Sequence, residues 1–219
     1  IRSMVGGIDS FPLLAVPMFV LAGILMAHGK ISEKLFDVFV YFLGNKRAGI
    51  PCAVIITCLF YGAISGSAPA TVAAVGSMTI PLLIELGYEK DFSTAIVAVA
   101  GGLGVIIPPS IPFIMYAMAT GESVSDLFLA GIVPGMMISA LLIFYAYYYC
   151  RRHGEDREKI QAKMGQLKAK GFFNILKESI WALLSPVIVL GCIYTGVASP
   201  TEAAVISVFY SLFVSLFIY

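Results

Sequence analysis

Two stretches of this sequence carry the residue types that could do chemistry: SGSAPAT at 65–71 and GGLGVIIPPSIP at 101–112. Each interrupts a long apolar run with hydroxyls, glycines and prolines. Pro69, Pro108, Pro109 and Pro112 lack a backbone donor and stop helices. Gly62, Gly66, Gly101, Gly102 and Gly104 admit unusual dihedrals and close backbone approach. The carbonyls so released, with the hydroxyls of Ser65, Ser67, Thr71 and Ser110, make a shell of neutral oxygens. No charged residue lies between Ile50 and Ile84, or between Phe92 and Gly121. A proton-coupled site in a membrane usually needs a carboxylate or a histidine. Oxygens alone suit a hard cation such as Na⁺, by analogy with the ligands other hard cations take. A half-helix that starts at such a break presents partial positive charge to an anion. No arginine is at hand to clamp a carboxylate.

The elements that must position these stretches are membrane helices. Of 219 residues, 59% are hydrophobic and only 12% charged, and mean hydropathy is +0.94. A soluble fold of this size could not hide so much apolar surface. Several runs reach the roughly 20 apolar residues that cross a hydrocarbon core of about 30 Å. The expected class is an all-α, multi-pass integral membrane protein. Net charge is +1, so nothing points to nucleic acid. Cys52, Cys58 and Cys192 lie inside apolar runs and Cys150 ends one, without metal-ligand spacing, so they are expected as small apolar filler. His28 and His153 are expected as solvated interface residues. Trp181 and the group Tyr145, Tyr147, Tyr148 and Tyr149 fall where an aromatic belt belongs. Since the start carries no signal peptide or initiator methionine and the end falls inside an apolar run, an internal portion of a longer chain is expected.

Along the chain, residues 1–48 hold a first span (11–28) and an amphipathic helix (30–47). In that helix Ile31, Leu35, Val38, Phe39 and Phe42 share one face, as in a helix lying in the membrane interface. A fraying extension of the first span is the alternative. Residues 49–126 hold two interrupted segments: two apolar arms around SGSAPAT (49–87), and two shorter arms around PPSIP (92–120). A full span is expected over 127–150, a basic polar loop over 151–178, and further apolar segments over 179–219. The loop carries eight basic and four acidic residues, which makes it cytoplasmic by the positive-inside rule. Tracing back from it puts Glu85–Asp91 and Lys46–Arg47 on the same side. A re-entrant hairpin over 49–87 satisfies that, and so do two full spans.

Sliding the chain by 169 residues aligns LAVPMFVLAGI (14–24) with LLSPVIVLGCI (183–193), and Ser32-Glu33 with Thr201-Glu202. The paired segments run in opposite directions across the membrane, as in an inverted repeat. Breaks in lipid are expensive, because an unpaired backbone group costs several kcal/mol there, so a broken helix must face protein or a cavity. Kinked helices packed on their neighbours are the plain alternative to a binding site.

Four blocks in order, GAISGSAPATVAAVGSMTIP, AGGLGVIIPPSIPFIMYA, DLFLAGIVPGMM and GVASPTEAAVISVFY, resemble the large membrane subunit (DctM-type permease) of tripartite ATP-independent periplasmic (TRAP) transporters. The resemblance covers nearly the whole chain. It implies an inverted-repeat, elevator-type secondary transporter of the bacterial inner membrane, in which Na⁺ drives uptake of an organic acid such as a C4-dicarboxylate. It implies a small TRAP membrane subunit and a periplasmic substrate-binding protein as partners, and no cofactor beyond Na⁺ as coupling ion. Residues 49–87 become a re-entrant hairpin, 92–120 a broken helix, and 30–47 an arm helix joining scaffold to transport domain. Sodium ligands are then expected from Ser65, Ser67, Ala68, Gly104, Ile107 and Pro108, with backbone carbonyls serving for the alanine, glycine, isoleucine and proline. Substrate is expected by Gly66, Thr71, Pro109 and Ser110. The large subunit of this family is about twice as long, so a second hairpin, a second broken helix and half the substrate site are expected beyond Tyr219. The tip resembles the C4-dicarboxylate branch more than the sialic-acid branch.

Two other functions compete. One is an anion carrier that works without a binding protein; the other is a channel or scaffold subunit whose breaks are kinks or pore lining. An enzyme is disfavoured, because no nucleophile–base pair, phosphate loop or HExxH-type motif occurs.

Overall fold

The computed structural model describes residues 11–169 and 171–219. The first ten residues of the expected opening segment, and Lys170 of the basic stretch, lie outside the described residues. The described residues form ten α-helices. A 3₁₀ turn (Phe11–Leu14) leads into α1 (Ala15–His28), followed by α2 (Ile31–Leu43), α3 (Gly49–Ser65), α4 (Ala68–Glu85) and α5 (Lys90–Gly101). A second 3₁₀ turn (Gly102–Val105) precedes α6 (Ile111–Thr120). Then come α7 (Val124–His153), α8 (Arg157–Ala169), α9 (Phe172–Tyr194) and α10 (Pro200–Phe217). Four of these helices are long and apolar enough to cross a membrane, and the count reaches five when the bent pair α1–α2 is taken as one span.

The first span and the amphipathic helix are separate elements that meet at 67°. Lys30 takes a left-handed conformation (φ 57°) at the bend, so α2 is no continuation of α1. Its buried face includes Ile31, Leu35 and Val38 as expected. Phe42, however, is exposed, and Ser32, Phe36 and Val40 are buried instead. The stripe is rotated because α2 packs on both α3 and α9.

The polar stretch after α7 is largely helical rather than a loop. Helix α7 extends to His153, α8 occupies Arg157–Ala169, and α9 begins at Phe172. In α8 the apolar residues Ile160, Met164 and Leu167 are buried. That i, i+4, i+7 spacing is a single apolar stripe, and it lies against α2.

Helix α10 packs along α1. Its contact face carries small residues four apart: Ala203, Ser207, Ser211 and Ser215. Small residues let helix backbones approach closely inside a bilayer. Ser215 Oγ donates to the Leu25 carbonyl of α1 (3.1 Å), and a Cβ on Gly29 would overlap Ser215. Ser199 opens the helix with a capping box, in which its side chain and Glu202 satisfy each other's first-turn groups.

One face of the molecule gathers three chain turns. Glu155, just after α7, is buried on its side chain. Its Oε1 accepts from Ala48 N–H (3.0 Å) and from the Tyr88 hydroxyl (2.7 Å). Arg157 pairs with Glu155 and donates to the Asn45 carbonyl at 3.3 Å. Residues 45–48, 86–89 and 149–157 therefore share one side of the molecule. The placement of Lys46–Arg47, Glu85–Asp91 and the basic stretch together agrees with this.

Candidate functional site

Helices α3 and α4 are joined by Gly66 and Ser67 alone and pack on each other. Gly66 holds φ +62°, a conformation that costs a residue with a Cβ, and a Cβ there would also stand 2.9 Å from the Pro109 carbonyl oxygen. The tip thus lies against the second interruption. Ile111 N–H donates to the Gly66 carbonyl at 3.2 Å, tying the tip to the start of α6. One turn back, Gly62 and Gly104 approach so closely that a Cβ on Gly62 would be 2.4 Å from Gly104 Cα.

The second interruption is a break rather than a kink. After the 3₁₀ turn the chain runs through Ile106 to Ser110 without regular structure, with a cis bond between Pro108 and Pro109. It is braced against α7: a Cβ on Gly131 would be 2.5 Å from the Ile106 carbonyl oxygen, and one on Gly135 would overlap Ile107.

Two helices start here with the same local sequence, Ser-x-Pro: Ser67-Ala68-Pro69 for α4 and Ser110-Ile111-Pro112 for α6. The two serines have nearly the same backbone, φ/ψ −138/123° and −129/121°. Proline in the first turn suits a helix start, where its missing N–H leaves no bond broken. The side chains differ. Ser110 Oγ accepts from Phe113 N–H (3.4 Å) and donates to the Val105 carbonyl (2.6 Å), so it holds the break in shape. The Ser67 side chain caps nothing, and its hydroxyl has no partner among the described residues.

Behind the tip is a closed hydroxyl cluster. Thr71 Oγ1 donates to the Ser67 carbonyl (2.8 Å), which also accepts from Thr71 N–H (3.0 Å). The proton between Ser65 Oγ and Thr71 Oγ1 (3.1 Å) therefore comes from Ser65. Ser65 and Thr71 are completely buried. A Cβ on Gly104 would lie 2.6 Å from Thr71 Oγ1 and 3.3 Å from the Ser67 carbonyl oxygen, which puts the first interruption's oxygens beside the second.

Of the expected site residues, the structure brings together Ser65, Gly66, Ser67, Thr71, Gly104 and Pro109. Ala68 is half-buried in the first turn of α4. Ile107 and Pro108 are buried in the break, and among the described residues their carbonyls accept no hydrogen bond. Ser110 is at the break, but its hydroxyl is committed to the chain itself. Among the described residues no group of three or more His, Cys, Asp or Glu could hold a metal ion.

Several supporting residues escaped the sequence reading. Tyr61, buried, donates its hydroxyl to the Gly23 carbonyl of α1 at 2.7 Å. A Cβ on Gly23 would lie 2.9 Å from Ser65 Cβ, so α1 backs the tip directly. Gly131 and Gly135, four apart in α7, were a readable small-xxx-small signal. Gly23 had no such signal, because a single glycine in an apolar run does not say what it touches.

A charge-free meeting of two interrupted segments, enclosed by apolar helices, is the architecture of a membrane permease. Sequence comparison is specific: the profile of the tripartite ATP-independent periplasmic transporter DctM component matches residues 1–219, and the chain belongs to that family. It is 46% identical over 97% of its length to the isethionate TRAP transporter permease protein DctMQ of Oleidesulfovibrio alaskensis, covering 33% of that protein. It is 35% identical to the C4-dicarboxylate TRAP transporter large permease protein DctM of Rhodobacter capsulatus, over 97% of this chain and 50% of that one. The ectoine TRAP transporter large permease protein TeaC of Halomonas elongata is 36% identical, over 100% and 50% respectively. The chain spans between a third and a half of the length of these relatives.

Proposed function

We propose that the chain is part of a permease for Na⁺-coupled symport of a small organic acid across the bacterial inner membrane. The observation that carries this is the joining of two Ser-x-Pro helix starts through the Gly66–Ile111 hydrogen bond, in a region without charge. The free oxygens there, the Ser67 hydroxyl and the Ile107 and Pro108 carbonyls, suit Na⁺. The N-termini of α4 and α6 suit the acid's negative charge. In this reading Na⁺ binding orders the tip and the break where they meet, which completes the acid's site and lets the domain move as one body.

The tip supports a re-entrant hairpin. Arms of 17 and 18 residues are about 25–27 Å long. The tip contacts the break, and in this reading the tip ends within the membrane while α6 completes the crossing beyond the break. An elevator motion would carry this unit past α1, α2, α9 and α10, and the pairing of α1 with α10 and of α2 with α9 is what an inverted repeat would produce. By the positive-inside rule, the face holding Glu155 and α8 is cytoplasmic.

Relatives named for isethionate, C4-dicarboxylates and ectoine make the choice of acid an experimental matter. A periplasmic binding protein delivers it in this proposal, and a small membrane subunit completes the permease, as the DctMQ name of one relative suggests. The test is uptake into proteoliposomes of the full-length protein with its small partner, using succinate, isethionate and ectoine. Uptake is expected to need both a sodium gradient and the binding protein. Ser65→Ala with Ser67→Ala is expected to raise the Na⁺ concentration for half-maximal uptake at least tenfold. Unchanged sodium dependence would remove these residues from the site. Downhill flux without the binding protein would instead establish a channel or a stand-alone carrier.

A further inference from the structure

Between α3 and α7 runs a groove of about 620 Å³ whose walls are apolar, among them Ile56, Ala140, Ile143 and Phe144. Lys46 and Arg47 lie at one end of it. Both are exposed, and among the described residues neither makes an ion pair. The carboxylates near them are engaged elsewhere: Glu155 by Ala48 N–H, Tyr88 and Arg157, and Asp156 by Lys159.

The turn that bears these two cations is held in place. Lys46 N–H donates to the Leu43 carbonyl (2.8 Å) and Gly49 N–H to the Lys46 carbonyl (3.1 Å). Arg157 holds the Asn45 carbonyl, and Glu155 holds Ala48 N–H, with Ala48 buried at φ 56°. A Cβ on Gly49 would be 2.0 Å from the Leu43 carbonyl oxygen, so the turn closes too tightly for any other residue there. Two cations thus sit on a braced turn, and the N-terminus of α3 adds partial charge of the same sign.

We infer that this groove is a binding site for an anionic phospholipid. The phosphate would lie against Lys46 and Arg47, and an acyl chain would run along Ile56, Ile143 and Phe144. A free phosphate would leave the apolar walls unused, and an uncharged apolar partner would leave the two cations unused. A phospholipid uses both, and basic pockets between membrane helices on the cytoplasmic side are known to take anionic headgroups. The braced turn lowers the ordering cost of such binding. The site lies at the root of the hairpin, away from its tip, so it does not depend on the transport reading.

The test is native mass spectrometry of the full-length permease with its small partner, titrated with phosphatidylglycerol or phosphatidylcholine. The wild type is expected to retain phosphatidylglycerol preferentially. Lys46→Gln with Arg47→Gln is expected to weaken that retention roughly thirty-fold, with phosphatidylcholine unaffected. Ala140→Trp leaves both charges intact, and its exposed position leaves the core undisturbed. It is expected to abolish retention of either lipid. Unaltered phosphatidylglycerol binding in both variants would overturn the proposal. So would a wild type that retains no lipid, which would mean that another part of the permease covers the groove.

Discussion

At the scale of residues, the site depends on atoms that are missing as much as on those present. The approach of Gly62 to Gly104 leaves no room for a methyl group on either side. Gly62→Ala is expected to destabilise the protein by about 1–3 kcal/mol through overpacking. In detergent, its melting temperature should fall measurably below wild type, and it should lose uptake. Preserved stability and activity would mean that the hairpin and the break can separate at no cost. Ser67 and Ser110 show how the same residue in the same backbone serves two ends. Ser110 is tied to Val105 and Phe113 and shapes the break, whereas the Ser67 hydroxyl has no hydrogen-bond partner among the described residues. Ser110→Ala is therefore expected to cost about 1 kcal/mol of stability, the net worth of a typical hydrogen bond. Ser67→Ala is expected to leave the melting temperature unchanged and to move only the response to Na⁺.

At the scale of elements, the packing of α10 on α1 makes a prediction about its serines. Ser207 Oγ is buried without a hydrogen-bond partner among the described residues, while Ser211 Oγ donates to the Ser207 carbonyl at 2.6 Å. An unsatisfied buried hydroxyl costs about 1–3 kcal/mol. Ser207→Ala is expected to raise thermal stability and Ser211→Ala to lower it slightly. The same substitution four residues apart should thus have opposite signs. Ser207→Leu, by contrast, would push α10 off α1 and should lower stability by more than either. Thermal melts of the three variants read this directly.

At the scale of the whole molecule, Glu155 ties together three turns that are far apart in sequence. Burial and the Glu155 carboxylate push the Tyr88 phenol far above its ordinary range, so it remains a proton donor throughout the physiological pH range. Its raised value means that this bond's contribution is present below the ordinary tyrosine range and is lost only as pH rises through the higher folded value. Glu155→Ala would leave Ala48 N–H and the Tyr88 hydroxyl without their acceptor, at an expected cost of about 3 kcal/mol. Tyr88→Phe removes one donor and should cost less. The double variant is expected to be hardly worse than Glu155→Ala alone, since the two losses share one interaction. Full additivity would show that Glu155 and Tyr88 act independently.

Much of the architecture was legible in the residues. SGSAPAT and GGLGVIIPPSIP had to break their helices, because proline and glycine act locally through dihedrals and missing donors. The apolar runs had to be membrane helices by length. The rest lay in contacts the chain cannot announce. The α2 stripe turned toward Phe36 and Val40 because two neighbours, not one surface, cover it. The polar stretch proved helical because Ile160, Met164 and Leu167 find α2 to pack on, a partner that composition does not reveal. Gly23 backs Ser65 at the tip because it lacks a side chain, and the Glu155 carboxylate binds Ala48 N–H, contacts made across 42 and 107 residues of chain. The sequence by itself determined where the two interruptions fall, that they carry neutral oxygens and that no charge accompanies them. Only the tertiary structure decided that the Gly66 carbonyl meets Ile111 N–H, that Ser110 Oγ is committed to the chain while the Ser67 hydroxyl has no partner among the described residues, and that Glu155 is the side chain binding the turns of one face. Backbone chemistry is a property of neighbours in the chain, whereas coordination and packing are properties of neighbours in space.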